Sequence, residues 1–157
     1  MPKFSLPLTQ LIHENLSIVM SFCFSRQPLH ELMKSKFEGE WKYLRKSLFA
    51  FSEQRAEKAC IELAVFLRFL DDQEDISGYL AKTSRRSFGL LVMKDKPTKR
   101  LKLRDVANKI IHASHLEWDL SAQHKPVLVC HSQKAEKWTR AEVDIVALAA
   151  FCGGLIH

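Results

Sequence analysis

One segment limits the fold more than any other, because residues 53–70 carry apolar side chains around most of a helical circumference. Its main stripe, at three- and four-residue spacing, comprises Ala56, Ala59, Cys60, Leu63, Phe66, Leu67 and Leu70. The stripe is widened by Ile61, Ala64, Val65 and Phe69. Such a helix needs neighbours on most sides, and its small alanines let those neighbours approach closely. The segment therefore predicts the central helix of a bundle.

Further helices are predicted from apolar periodicity and from residues that cap or break a helix. A first helix begins after Pro7, with Thr9 as its N-cap, and ends near Phe24, where residues 25–28 break it. The remaining predictions are a second helix over 29–51, a loop over 76–86, a fourth helix over 101–113 and a short last helix over 145–152 that Asp144 caps.

The C-terminal third of the chain changes to a period of two, which is typical of half-buried strands. The alternating segments are 116–120, 127–131 and 138–143, and the short apolar run 88–93 is a further candidate strand. A small antiparallel meander is the economical interpretation of three such segments in a row. The sequence thus predicts a single domain over residues 1–157 that is mainly α, with a bundle of four to five helices and a small antiparallel β-meander near the C-terminus (α+β).

Composition places the chain among ordinary globular domains, since 46% of its 157 residues are apolar and 27% are charged. The four cysteines form no Cys-x-x-Cys pair, and three of them sit in apolar runs. For those three the sequence predicts buried free thiols in a reducing cytoplasm rather than disulfides or a zinc site. The early apolar run 16–24 is far shorter than the ~20 residues that span a bilayer. We expect a cytoplasmic protein with no membrane partner.

Positive charge is concentrated in residues 82–109, which hold ten lysines and arginines against Asp95 and Asp105, a net charge of +8 within a chain of +6. A basic block of this kind indicates an anionic partner such as RNA, although a solvated lysine-rich loop would look the same. The candidate nucleic-acid-binding residues are Arg85, Arg86, Lys96, Lys99, Arg100, Lys102 and Lys109.

An acidic run, residues 71–75, follows the central helix. Carboxylates are unfavourable at a helix C-terminus, so the run serves a turn or pairs with the basic block. Adjacent acids are poorly spaced to converge on a single metal ion.

Three polar residues lie on one stripe of the fourth predicted helix: Arg104, Asn108 and His112, at four-residue spacing. On a helical wheel this stripe borders the apolar face. Side chains at that border lie in a groove beside a neighbouring helix, where packing fixes them and a ligand is able to reach them. Such a trio is able to bind and cleave a phosphodiester, and it is equally able to form a structural polar seam between helices.

The segment Asn108-Lys109-Ile110-Ile111-His112-Ala113 resembles the end of the Arg-Asn-x-x-x-His motif of the HEPN superfamily. Members of that superfamily are small, mainly helical bundles that include metal-independent RNases of defence and toxin–antitoxin systems, as well as non-catalytic relatives, and they are often dimers. The resemblance implies Asn108 and His112 as the motif's amide and histidine. The motif's arginine position is occupied by Ala107, and Arg104 stands three residues earlier.

If this site is catalytic, His112 is the general acid and base, Arg104 stabilises the phosphate and Asn108 orients the histidine or a phosphate oxygen. No cofactor or metal is expected, and the histidines outside the α5 region show no ligand spacing: His13, His30, His124, His131 and His157. The predicted partners are RNA, a second copy of the chain or a cognate protein. A non-enzymatic interaction domain, in which Asn108 and His112 form a structural pair, remains the alternative.

Overall fold

The computed structural model describes residues 7–36, 42–83, 86–134 and 137–155. Its helices are α1 (Leu8–Lys36), α2 (Lys42–Arg45), α3 (Ser52–Glu74), α4 (Ile76–Thr83), α5 (Leu103–Ile111) and α6 (Ile145–Gly153), and a π-type helical segment (Lys46–Phe51) joins α2 to α3. Its strands are β1 (Gly89–Met93), β2 (Lys99–Arg100), β3 (Ala113–Asp119), β4 (Val127–Ser132) and β5 (Trp138–Asp144). The predicted class, mainly α with an α+β arrangement, is confirmed.

The first helix does not end near Phe24 as predicted, because α1 continues through Pro28 to Lys36. A proline inside a helix removes one backbone hydrogen bond. Contacts on both sides of Pro28 compensate for that loss. The Arg26 guanidinium lies over the rings of Phe22 and Phe49, 5.8 and 5.7 Å from their centroids, and Met33 is buried beyond the proline.

The prediction of a separate second helix over 29–51 is also wrong. The first residues of that range belong to α1, and the last ones form α2 and the π-type segment. Residues 37–41, which include part of its apolar pattern, lie outside the described residues. The π-type segment leads directly into α3, and the Ser52 hydroxyl donates hydrogen bonds to the carbonyls of Leu48 and Phe49. A π-type segment thus interrupts the regular helix that the sequence predicts before α3 begins.

The central helix is confirmed as α3, which contacts α1, α4 and α5. Its buried apolar residues are Ala56, Ala59, Cys60, Leu63, Ala64, Leu67 and Leu70. Ile61, which the sequence predicts to widen the buried stripe, is instead 47% exposed.

Helix α4 takes the place of most of the loop predicted over 76–86, of which residues 84 and 85 lie outside the described residues. Two aspartates of the acidic run start this helix. Asp75 has a left-handed backbone conformation and its Oδ1 accepts a hydrogen bond from Gly78 N at 3.1 Å, while Asp71 accepts bonds from Ser77 N at 2.6 Å and Ser77 Oγ at 2.9 Å. Side-chain acceptors at these positions satisfy backbone N–H groups that a helix start leaves unpaired.

The strands form one antiparallel sheet in the order β2-β1-β5-β4-β3. The predicted meander is confirmed as β3-β4-β5, and the apolar run 88–93 adds β1 beside β5. The last predicted helix is confirmed as α6, where Asp144 Oδ1 accepts a hydrogen bond from Ala147 N at 3.1 Å.

One face of this sheet is buried and the other is exposed. Leu91, Ala141 and Cys130 are paired across β1, β5 and β4 and are each 3% exposed or less. Helix α5 contacts β3, β4 and β5, so the buried face lies under the helices. The opposite face carries the other alternate residues of the strands, of which Leu90, Glu117 and Arg140 are exposed.

All four cysteines are free and buried, which confirms the prediction made for the three in apolar runs. Within the described ranges, no helix combines the length and apolar character that crossing a membrane requires.

Candidate functional site

Arg104 is held in an ion-pair network with the end of α3. Its Nη1 lies 3.1 Å from Asp71 Oδ2 and 2.7 Å from Asp72 Oδ1. The acidic run therefore pairs with the basic block, one of the two roles that the sequence left open, and it also starts α4. Two carboxylates already balance the charge of Arg104, so this arginine fixes the first turn of α5 against α3.

Asp71 is the buried member of the network, at 9% exposure. Burial raises the pKa of its carboxyl, but hydrogen bonds from Ser77 N, Ser77 Oγ and Arg104 outweigh burial, so the pKa lies below its ordinary value. The carboxylate stays ionised and links α3, α4 and α5 at one point. No sequence pattern singled out Asp71 or Ser77 individually, because their pairing depends on how three helices meet.

A cavity of about 310 Å³ opens beside the first turn of α5. The cations on its wall are Arg86, Arg100, Lys102 and Arg104, and the apolar residues include Leu80, Phe88 and Leu103. Asp105 is the acidic residue of the lining, and its Oδ2 accepts a hydrogen bond from Lys102 N at 3.2 Å. The structure thus brings three predicted nucleic-acid-binding residues to one cavity, together with one predicted catalytic residue.

The rest of the predicted stripe lies at the other end of α5. Asn108 is half-buried, His112 is exposed, and His112 N donates a backbone hydrogen bond to the carbonyl of Asn108 at 3.0 Å. In the described part of the chain, neither side chain makes a hydrogen bond. Arg104 and His112 are about 12 Å apart along the helix axis, at 1.5 Å per residue. The structure therefore does not bring them together within one chain.

Of the remaining predicted binding residues, Lys96 and Lys99 lie in the β1–β2 hairpin and Lys109 lies on α5. Lys96 and Lys99 are exposed, and Arg85 lies outside the described residues. Lys109 is half-buried, with its Nζ 4.4 Å from the centroid of the Trp138 ring. Burial lowers the pKa of Lys109, as does the nearby charge of Lys99, against an opposing effect of Asp105. Lys109 is therefore a packed cation more than an exposed phosphate ligand.

Sequence reasoning missed a cluster on the exposed face of the sheet, formed by His115, Glu117 and His131. The rings of the two histidines are stacked with centroids 4.2 Å apart, and His131 Nε2 lies 2.8 Å from Glu117 Oε2. These three residues are able to hold a metal ion. The signal that points to them is strand register, since the β3–β4 pairing sets His115 opposite His131.

A second cavity, of about 480 Å³, lies between α1 and the loop after β3, and its lining includes His30, Glu31 and His124. None of the residues predicted from the sequence to bind or cleave RNA lines it.

Comparisons with known proteins return no match, whether the chain is scanned against protein-family models or searched against curated proteins and solved structures. The resemblance to the HEPN superfamily therefore rests on the six-residue segment that carries it.

Proposed function

We propose that this protein binds single-stranded RNA at the cavity beside α5. The observation that carries the proposal is the convergence of Arg86, Arg100, Lys102 and Arg104 on one cavity of about 310 Å³. Cations that line a concave site concentrate a polyanion far better than the same charges on a solvated loop. The solvated-loop interpretation of the basic block predicts no such convergence.

The cavity suits one nucleotide of a single strand. Its volume lies at the lower end of ordinary ligand sites, and its lining combines cations with the apolar side chain of the half-buried Leu80. Proteins that bind single strands pair a basic surface for the phosphates with apolar or aromatic surface for the splayed base. A base within a duplex is stacked and does not enter such a cavity. The exposed Lys96 and Lys99 extend the basic surface along the path of the bound RNA.

We expect the double variant Arg100→Ala with Lys102→Ala to bind a short single-stranded RNA roughly tenfold more weakly than wild type at low salt. Each lost phosphate contact also reduces the slope of log affinity against log salt by about 0.7. Fluorescence anisotropy with a labelled oligonucleotide, repeated across a salt series, measures both quantities.

The matched control for RNA binding is Lys58→Ala with Lys125→Ala, which removes the same charge from exposed positions that do not line the cavity. Its salt slope should stay close to that of wild type. If both double variants lost the same RNA affinity, net charge alone would account for binding and the cavity would have no specific role. Absent or salt-independent RNA binding by wild type would contradict it and would favour a protein partner.

The proposed role is binding without cleavage by a single chain, because Arg104 is engaged by Asp71 and Asp72 while His112 lies at the far end of α5. We therefore expect wild type and His112→Ala to leave a labelled RNA equally intact in the presence of chelator. Denaturing gel electrophoresis over a time course measures the outcome. Cleavage by wild type that His112→Ala abolishes would instead establish the catalytic role that the motif resemblance implies, with a cation supplied by a second copy.

A further inference from the structure

We propose that His115, Glu117 and His131 form a binding site for a divalent transition-metal ion on the exposed face of the sheet. This site is separate from the cavity beside α5, and it does not depend on RNA binding. Each residue offers one ligand atom, and the three atoms lie within 4.8 Å of one another. Two imidazoles and one carboxylate are a common ligand set for Zn²⁺, which also accepts water as its fourth ligand.

Strand register brings the ligands together. His115 on β3 is the pairing partner of His131 on β4, and directly opposed residues project from the same face. Glu117 follows His115 by two positions, so its side chain returns to that face. The alternate residues Leu116 and Cys130, a directly opposed pair, belong to the other face, where Cys130 is fully buried. The backbone of the hairpin therefore holds the three side chains in place before any ion arrives.

The geometry needs only a small adjustment to chelate an ion. Ligand atoms around a tetrahedral zinc lie about 3.3 Å apart, given bonds of about 2.0–2.1 Å. His131 Nε2 and Glu117 Oε2 are already 2.8 Å apart, so an ion between them requires a slight opening. The two imidazole rings are nearly parallel, at 10°, and rotation about their terminal side-chain torsions turns the nitrogens toward a shared point.

A neighbouring hydroxyl orients one of the ligands. Ser114 Oγ lies 3.2 Å from His115 Nδ1, which leaves Nε2 as the ligand atom of that ring. A hydrogen bond to the ring nitrogen that does not bind the metal fixes the orientation of a histidine ligand. The same hydroxyl is also within hydrogen-bond distance of the carbonyl of His131, at 3.2 Å, so Ser114 contacts both histidine-bearing strands.

The ligands are accessible to solvent, which makes the proposed site open. The side chains of His131 and Glu117 are 29% and 63% exposed, and His115 is exposed as well. Three protein ligands in such a position leave at least one coordination site for water or another molecule. The buried thiols do not compete for the ion, since all four cysteines lie in the interior.

Isothermal titration calorimetry of the purified full chain with Zn²⁺ tests the proposal. We expect one equivalent to bind wild type, with affinity reduced at least tenfold in His115→Ala and in His131→Ala. Glu117→Gln, which keeps the shape of the side chain, should bind more weakly than wild type as well. His124→Ala is the matched control, because His124 is an exposed histidine outside the cluster, and it should bind as wild type does.

Titration with Co²⁺ adds a spectroscopic readout, because nitrogen and oxygen ligands give visible bands without the thiolate charge-transfer band of a cysteine site. Thermal unfolding in the absence of metal shows that each variant is folded before its affinity is compared. Absence of Zn²⁺ binding by wild type overturns the proposal. Binding that survives both histidine substitutions, or a thiolate band with Co²⁺, does so too.

Discussion

Gly89→Ala should destabilise the protein by about 2–6 kcal/mol, the largest effect that we expect of any single substitution considered. Gly89 has φ of 133°, a conformation that side chains with a Cβ rarely adopt. A Cβ built there would lie 1.9 Å from the backbone carbonyl oxygen of Glu142. Backbone strain of about 1–3 kcal/mol then adds to an overpacking cost of about 1–3 kcal/mol.

The backbone around Gly89 has little room to move. Its carbonyl accepts a hydrogen bond from Leu101 N at 2.9 Å, and the adjacent Phe88 carbonyl accepts one from Asp144 N at 2.8 Å. A shift that relieves the clash therefore weakens the pairing of β1 with β5 and the approach to α5. Urea unfolding, followed by far-ultraviolet circular dichroism, measures the loss.

Gly153→Ala is the matched control, because nothing lies within 4 Å of the Cβ added at that position. Gly153 ends α6, where alanine is favoured over glycine by up to about 0.5–1 kcal/mol. We expect this variant to be as stable as wild type or slightly more so. Wild-type stability in Gly89→Ala would mean that β1 and β5 do not pair in the register described.

Asp71→Ala should lower the free energy of unfolding by about 2–3 kcal/mol. The substitution removes the acceptor for Ser77 N and Ser77 Oγ, at 2.6 and 2.9 Å, and one of the two partners of Arg104. Unpaired donors at a part-buried site each cost about 1–3 kcal/mol, and solvent around Arg104 moderates the total. Chemical denaturation gives the value, and native-state hydrogen exchange should show earlier opening of α4.

Asp72→Ala provides the control for Asp71→Ala on the same arginine. Asp72 approaches Arg104 more closely, at 2.7 Å, but its side chain is 51% exposed. An exposed ion pair contributes about 0–1 kcal/mol, so this variant should lose far less stability. Equal losses in the two variants would contradict the assignment of Asp71 as the structural member.

The contribution of Asp71 should also depend on pH, with a sign set by its lowered pKa. A carboxyl whose pKa is lower in the folded state stabilises the fold fully above its unfolded value, about 3.9, and the benefit is lost as pH falls through the folded pKa. The stability difference between wild type and Asp71→Asn should thus be constant near neutral pH and shrink below about pH 4. Urea unfolding over a pH series measures it, and a difference that grows on acidification would refute the argument.

Helix α3 shows how much of the fold could be predicted from the sequence. Its apolar stripe predicted a central helix over 53–70, and Leu63 and Leu67 are each 1% exposed at its centre. The period-two segments predicted the meander, and the Asp144 cap predicted the start of α6. These features depend on local patterns that repeat within a few residues.

Elements that depend on distant contacts were predicted less well. Pro28 is locally a helix breaker, yet α1 passes through it because Arg26 and Met33 are packed on either side. The glycine within residues 76–83 favours a loop, yet the side chains of Asp71 and Asp75 accept the backbone hydrogen bonds that start a helix there. Tertiary contacts therefore outweigh weak local preferences in both places.

The candidate sites show the same contrast between local patterns and distant contacts. The sequence located the basic block and the α5 stripe, but chain order does not reveal that Arg104 is balanced by Asp71 and Asp72. It also does not reveal that His115 and His131, sixteen positions apart, are directly opposed in a hairpin. Spacing along the chain detects neighbours on one element and misses neighbours across two.

The sequence by itself determined the secondary-structure class, the central apolar helix and the place where positive charge is concentrated, because each is recorded in the periodicity or composition of one segment. Only the tertiary structure decided which cations share a cavity, which carboxylates pair with Arg104 and which histidines face each other. The physical reason is that electrostatic pairing and ligand geometry act over a few ångströms in space, and strand register and helix packing alone decide which distant residues reach that separation.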